Sequence, residues 1–217
     1  MCDPNWRIET PRLYLSYLSS DNDSHCAFVS ELWNTSSMQK ANKGTGFTDR
    51  GLEAARQRLS DDWKIQDQAV TGFGNYLVTL KPPLPESSIP ADTPFSDIEK
   101  DCVKVGIITM KRRVHTGGSD APDLGFAFSP EWQGKGYATE AARGLIKWLE
   151  EEKGVKAMFA YTSPTNEDSK RLLRRLGFEE RETRELKGVA PNVIQATVFA
   201  LPGMDADLTK YGLEKKD

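Results

Sequence analysis

A mixed α/β sheet is the fold class predicted by this sequence, on three observations. Strand-like and helix-like segments alternate from about residue 124 to residue 201. Runs of hairpin-like strands occupy the middle of the chain. Glycines fall at the junctions, as at Gly154 and Gly177.

The elements follow in order. Arg7 to Leu18 alternates loosely through Ile8, Leu13, Leu15, Tyr17 and Leu18, which predicts an opening strand. Asp21 to Trp33 predicts a helix capped by Asp23 or Ser24, with Phe28, Val29, Leu32 and Trp33 inward. Thr48 to Gln66 predicts a second, with Leu52, Ala55, Leu59 and Trp63 at helical spacing. Phe73 to Leu80 is strand-like, rich in aromatic and branched residues. From Lys81 to Lys100 the prolines Pro82, Pro83, Pro85, Pro90 and Pro94 stand among Ser, Asp and Glu, so an extended insertion is expected. It reads either as a lid over the binding cleft or as a surface loop, the latter favoured. Strands resume at Val103 to Met110 and, after a turn at Thr116 to Asp120, at Leu124 to Phe128. Ala138 to Glu152 predicts a helix burying Ala138, Ala141, Ala142, Leu145, Trp148 and Leu149, stopped by Gly154. Lys156 to Tyr161 is a strand, Asn166 to Leu176 a helix, and Phe178 to Leu186 and Val193 to Leu201 the last two strands. The chain is thus expected to form a single domain over residues 1–217. Its core spans about 7–201, its insertion about 81–101 and its polar, peripheral tail 202–217.

Composition narrows the function. The 217 residues are 38% hydrophobic and 28% charged, an ordinary soluble balance. A formal charge of −3 gives no electrostatic footprint for nucleic acid. Cys2, Cys26 and Cys102 are odd in number and far apart, so neither a disulfide framework nor a zinc site is expected, and a reducing compartment fits. With no apolar run of signal-peptide or membrane-span length, a cytoplasmic protein without a membrane partner is expected.

One segment carries chemistry. Gly134 and Gly136 lie between a strand and a helix with no capping Ser or Asp. Glycine lets backbone N–H groups approach a ligand without an intervening Cβ, and a helix start adds unpaired amides and partial positive charge. The combination suits a phosphate. A tight strand-to-helix turn explains the same glycines, and the spacing alone does not separate the two. The nucleotide-triphosphate loop GxxxxGK[ST] is absent, and Gly134-Lys135-Gly136-Tyr137-Ala138-Thr139 does not complete GxGxxG.

The run Gly125-Phe126-Ala127-Phe128-Ser129-Pro130-Glu131-Trp132-Gln133-Gly134-Lys135-Gly136-Tyr137-Ala138-Thr139-Glu140-Ala141 resembles the acyl-CoA-binding motif of the GNAT acetyltransferase superfamily. Its core is Gln or Arg, two residues, Gly, one residue, then Gly or Ala; Gln133, Gly136 and Ala138 match. Asn166-Glu167-Asp168-Ser169 through Leu176-Gly177-Phe178 is similar to a segment of the RimJ/RimL-like branch, and Thr10-Pro11-Arg12-Leu13 resembles that branch's opening strand. The resemblance runs from about Thr10 to Leu201, with its blocks in the family's order.

This resemblance implies a mostly antiparallel sheet, splayed at its central strand, with helices on both faces. It implies acetyl-CoA as co-substrate, no metal, and direct transfer to a primary amine on a small molecule, peptide or protein. Pairing through the final strands into a homodimer is a further implication by family analogy. Phe126, Ala127 and Phe128 would lie along the pantetheine arm, with a backbone N–H at Ala127 or Phe128 serving the oxyanion. The amides from Gln133 through Gly134, Lys135, Gly136, Tyr137 and Ala138 to Thr139 would take the pyrophosphate. Asn166 would hold the far side of the cofactor, and it also suits a helix N-cap. Lys170 or Arg174 would meet the 3′-phosphate, unless the basic cluster from Lys170 to Arg175 is simply a solvated face.

Many family members carry a tyrosine seven residues after the asparagine. This chain has Leu173, a departure that leaves Ser169 as the expected proton donor to the thiolate, ahead of Tyr161. For the general base the candidates are Asp123 and, on the second helix, Glu53, Asp61 and Asp62, each of which also suits a surface acid. His25 and His115 are read as isolated. Two rival functions remain: a non-catalytic acyl-CoA-binding module, and a structural domain whose glycine loop is only a turn.

Overall fold

The structure is a computed structural model that describes residues 3–47, 49–60, 68–83, 89–90, 92–113 and 116–213. Its centre is one eight-stranded sheet of order β1-β2-β3-β4-β5-β6-β8-β7. The strands are β1 (Arg7–Glu9), β2 (Leu13–Tyr17), β3 (Asn75–Leu80), β4 (Val103–Lys111), β5 (Asp123–Phe128), β6 (Phe159–Thr162), β7 (Glu179–Leu186) and β8 (Ile194–Ala200). Every neighbouring pair is antiparallel except β5 and β6. The predicted opening strand is therefore a hairpin. It breaks at Thr10-Pro11-Arg12, because Pro11 has no N–H for a ladder, and Ile8 then pairs with Leu15.

Helices cover both faces. On one face α5 (Tyr137–Lys153) buries Ala141, Ala142, Leu145 and Leu149 against Tyr76, Val78, Ile108, Leu124 and Phe199. α6 (Glu167–Arg175) adds Leu173 and, beyond its end, Phe178 to the same cluster. Full burial of such a side chain contributes roughly 1.5–3 kcal/mol. On the other face α1 (Asp23–Asn34) and α3 (Leu52–Leu59) pack Cys26, Val29, Leu32, Ala55 and Leu59 on Leu77 and Ile107, with Ala127 at the edge.

The α1 cap is Asn22, one or two residues before the expected Asp23 or Ser24. Its side-chain oxygen accepts from the N–H of Ser24 at 3.0 Å and of His25 at 3.3 Å, worth about 1 kcal/mol. α2 (Ser36–Ala41) buries none of its residues and left no periodic signal in the sequence. In α3 the inward pair is Ala54 and Ala55, while Leu52, expected inside, is 49% exposed. Trp63 and Thr48 lie outside the described residues.

Two peripheral expectations change. The insertion contains a helix, α4 (Phe95–Lys100). Its Phe95 is 1% exposed, edge-on to Tyr14 at 5.2 Å, and the Phe95 N–H donates to Asn5 Oδ1 at 2.9 Å. Glu99 accepts from the Ser16 hydroxyl and lies 3.0 Å from His25 Nε2. α4 thus closes over β2 beside α1, and the histidine read as isolated is buried between Glu99 and the Ser19 N–H, which donates to its Nδ1 at 3.2 Å. The tail also packs: Met204, Leu208 and Leu213 join Phe159, Val198 and Ala200 in a second core. Its polar composition hid three apolar residues spaced around a short 3-10 turn, Leu208–Tyr211. Among the described residues no helix is long and apolar enough to cross a membrane.

Candidate active site

The exception in the sheet makes the site. β5 and β6 run parallel and pair only at Asp123 with Phe159 and Leu124 with Ala160. Beyond Leu124 the two strands part, while β5 stays paired with β4 as far as Phe128. One edge of β5 is therefore open from Gly125 to Phe128.

The direction of its backbone groups can be worked out. Pro122 O accepts from the Phe159 N–H of β6 at 2.8 Å, and the Ser129 N–H donates the other way, to Val105 O, at 3.0 Å. Successive residues of a strand alternate, so the backbone groups of Phe126 and Phe128 face the gap. Those of Ala127 face β4. Of the two amides expected to meet an oxyanion, Phe128 is turned to the gap and Ala127 is not; Phe126 takes its place. The Ala127 side chain lies against the α1–α3 cluster.

Because β5 and β6 are parallel, α5 and α6 both begin beyond the carboxyl ends of these strands, flanking the gap, where open α/β sheets take ligands. The loop into α5 is held from below by Gln133, whose side-chain amide donates to Phe128 O at 2.8 Å. The Gln133 N–H is itself given to Pro130 O at 3.2 Å, so the expected amide series starts one residue later, at Gly134. Gly134 and Gly136 have φ of +73° and +84°, and Gly136 caps α5 with no side-chain bond. The first helical bond is from the Glu140 N–H to Gly136 O at 3.0 Å. Among the described residues the amides of Gly134, Lys135, Gly136, Tyr137, Ala138 and Thr139 have no protein acceptor. A Cβ on Gly134 would meet nothing within 4 Å, so the loop faces open space. Six unpaired donors at a helix start fit a phosphate or pyrophosphate, and at Gly134 and Gly136 no Cβ stands beside the amide. Lys135 Nζ sits over the Trp132 ring at 4.4 Å.

α6 opens with Asn166, whose Oδ1 accepts from the Ser169 N–H at 3.1 Å. The N-cap reading of Asn166 is therefore observed, and Ser169 lies in the first turn, half-buried. Lys170 is 9% exposed, with Nζ 3.4 Å from Glu167 and 3.8 Å from Glu180, and Arg174 also binds Glu180. These cations are engaged by carboxylates of α6 and β7, which competes with the expected 3′-phosphate contact. Leu173, at the position of the family's tyrosine, is 1% exposed in the core.

At the base of the gap Asp123 is 4% exposed, and both its oxygens accept from Arg113, at 2.5 and 2.7 Å. Arg113 also donates to Val189 O at 2.6 Å. Both oxygens of Asp123, the expected base, are thus engaged by the partly buried Arg113. Tyr161 donates to Ser119 Oγ at 3.0 Å; burial, with the Asp123 charge, pushes its phenol well above the ordinary range. Arg113 and Ser119 were missed in the sequence, where the only sign was the basic run Lys111-Arg112-Arg113 beside the central strand. Thr109, opposite Gly125, was also missed; its hydroxyl is buried without a partner among the described residues. Glu53 lines a separate polar cleft of about 340 Å³ with Ser20, Asp21, Arg56, Gln57 and Ser60. Asp61, Asp62, His115 and Cys2 lie outside the described residues, and Cys26 and Cys102 are buried free thiols. Among the described residues no cluster of His, Cys, Asp and Glu could hold a metal ion.

Comparison with known proteins gives three findings. Residues 12–179 match the family model for the acetyltransferase (GNAT) domain. Over 86 residues the chain is 33% identical to the [ribosomal protein uS5]-alanine N-acetyltransferase of Escherichia coli, covering 40% of this chain and 43% of that protein. Over 79 residues it is 32% identical to the uncharacterized N-acetyltransferase YnaD of Bacillus subtilis, covering 36% of this chain and 44% of that protein. The chain thus spans less than half the length of the curated relatives it matches. In fold it is similar to RimL, the ribosomal L7/L12 alpha-N-protein acetyltransferase solved in complex with coenzyme A. The TM-score is 0.62 at 15% identity, over 93% of this chain and 100% of that one.

Proposed function

The chain belongs to the GNAT acetyltransferase family, and from that premise we propose that it moves the acetyl group of acetyl-CoA to a primary amine by direct attack in a ternary complex. The observation that carries this reading is the gap between parallel β5 and β6, with an open strand edge on one side and six unpaired amides at its mouth. In this reading the amides from Gly134 to Thr139 hold the pyrophosphate, and the backbone of Phe126 and Phe128 pairs with the pantetheine arm. One of those two N–H groups, fixed before the reaction, stabilises the oxyanion at the thioester carbonyl. The neutral amine bonds to that carbonyl carbon and the carbon–sulfur bond breaks. The proton the nitrogen loses passes to water, and the thiolate takes a proton from water held by Ser169 or from the Ser169 hydroxyl, which water re-protonates.

For the acceptor we propose the α-amino group of a peptide or protein rather than a small-molecule amine. The support is the alanine N-acetyltransferase named among the relatives. The test is an assay for free thiol with acetyl-CoA and two acceptor sets, short peptides beginning with alanine or serine and a panel of polyamines and amino acids. Thiol release with the peptides alone is expected. Release only with small amines would reassign the acceptor. Cofactor binding with no turnover on either set would favour the non-catalytic module.

A further inference from the structure

We propose that Arg12 is a positioning residue for the pyrophosphate, acting through Glu140 and the Lys135–Gly136 peptide; this rests on the acyl-CoA reading above. Glu140 is the fourth residue of α5, close to the free amides. A carboxylate in a first turn stabilises the helix, but it also repels any anion bound at that helix start.

The chain's opening hairpin covers that charge. The Glu140 carboxylate accepts from the Thr10 hydroxyl at 2.7 Å, the Arg12 N–H at 2.8 Å and Arg12 Nε at 2.6 Å. Partial burial works against its charged form, yet these bonds hold Glu140 below the usual carboxylate range. Gly144, one turn further along α5, lets the corner come this close: a Cβ there would stand 2.8 Å from the Thr10 methyl.

Arg12 also reaches the loop itself. Its Nη1 donates to Lys135 O at 3.2 Å, and its guanidinium lies over the Tyr137 ring at 4.6 Å. In a trans peptide the C=O and the next N–H point opposite ways. Holding the Lys135 carbonyl toward Arg12 therefore turns the Gly136 N–H away from it, among the free amides. Arg12 Nη2 is 3.4 Å from where a Cβ of Gly136 would sit, and the side chain is half exposed. One cation thus neutralises the carboxylate beside the site and sets the orientation of a donor peptide.

The experiment compares the affinity of the whole chain for CoA with that for pantetheine, which has the same arm and thiol without the pyrophosphate and its adenosine 3′-phosphate. Arg12→Gln is expected to lower the CoA-to-pantetheine affinity ratio about tenfold, the loss of one charge-assisted contact. Arg12→Gln with Glu140→Gln is expected to bring the ratio back to within about threefold of wild type, because the uncovered charge is gone. A general folding defect weakens both ligands together and leaves the ratio alone. An unaltered ratio in Arg12→Gln, or no recovery in the double variant, overturns the proposal while leaving the acyl-CoA reading standing. Failure of the unaltered chain to bind CoA overturns that reading and this inference with it.

Discussion

The two faces of the sheet are built by different means. On the α5 side, the groups that fit an anion are backbone amides, released by two left-handed glycines and an uncapped helix start. On the α1 and tail side, the polar groups are side chains far apart in sequence: Arg113 on Asp123 and Val189, Tyr161 on Ser119, and His25 and Ser16 on Glu99. A backbone device is written in a short run of sequence. A side-chain network exists only after the chain has folded. The difference separates what should fail on each side, binding on the first and folding or rate on the second.

The largest effect is expected at Asp123. Asp123→Ala leaves the largely covered Arg113 without its carboxylate, and loss of about 3–5 kcal/mol is expected from denaturant unfolding. If the variant is as stable as wild type and only turnover falls, Asp123 belongs to the reaction as a base and the contrast between the faces breaks. Next comes Gly136→Val, which puts a branched side chain at φ +84° in the amide series. Affinity for CoA should fall more than about 100-fold, with melting temperature lower by only the few degrees that a branched side chain costs at a left-handed φ. Unchanged affinity would remove the loop from the site.

Glu99 gives a pH signature confined to the other face. Burial opposes its charge, but donation from His25 and Ser16 holds its carboxyl below the ordinary range. A carboxyl lowered on folding stabilises above its unfolded value and loses that contribution as pH falls through its folded value. Glu99→Gln should therefore cost about 1–3 kcal/mol near neutrality. The gap between variant and wild-type melting temperatures should close from about pH 6 towards about pH 3. A gap that does not vary with pH would mean that the pair contributes no charge-dependent stability. Ser169→Ala is the smallest change: kcat should drop about tenfold, because a thiolate leaves readily, with CoA affinity nearly intact. A normal rate would exclude Ser169.

The same contrast explains what was legible in the sequence. The strand–loop–helix from Leu124 to Lys153 was placed to within a residue or so, since hydrophobic period and glycine position are both local signals. The splay of β5 from β6 came from family resemblance and is visible in the register, which ends at Leu124 with Ala160. The helix at Phe95–Lys100 was hidden by the prolines that lead into it, up to Pro94, and by a run too short to show periodicity. The engagement of Asp123 by Arg113, of Lys170 by Glu180 and of His25 by Glu99 was hidden because these partners lie 10 to 74 residues away in sequence. Ala127 shows a finer limit. Its strand was found, but the direction of its N–H depends on which neighbour the strand pairs with at each end.

The measurement that tests the central claim most directly is calorimetric titration of the purified chain with acetyl-CoA, with NADH and ATP as controls. Saturable binding of acetyl-CoA, with neither nucleotide binding comparably, is the result predicted by six amides beside an open strand edge. No binding of acetyl-CoA or CoA would contradict the account and reduce the loop to a turn between a strand and a helix.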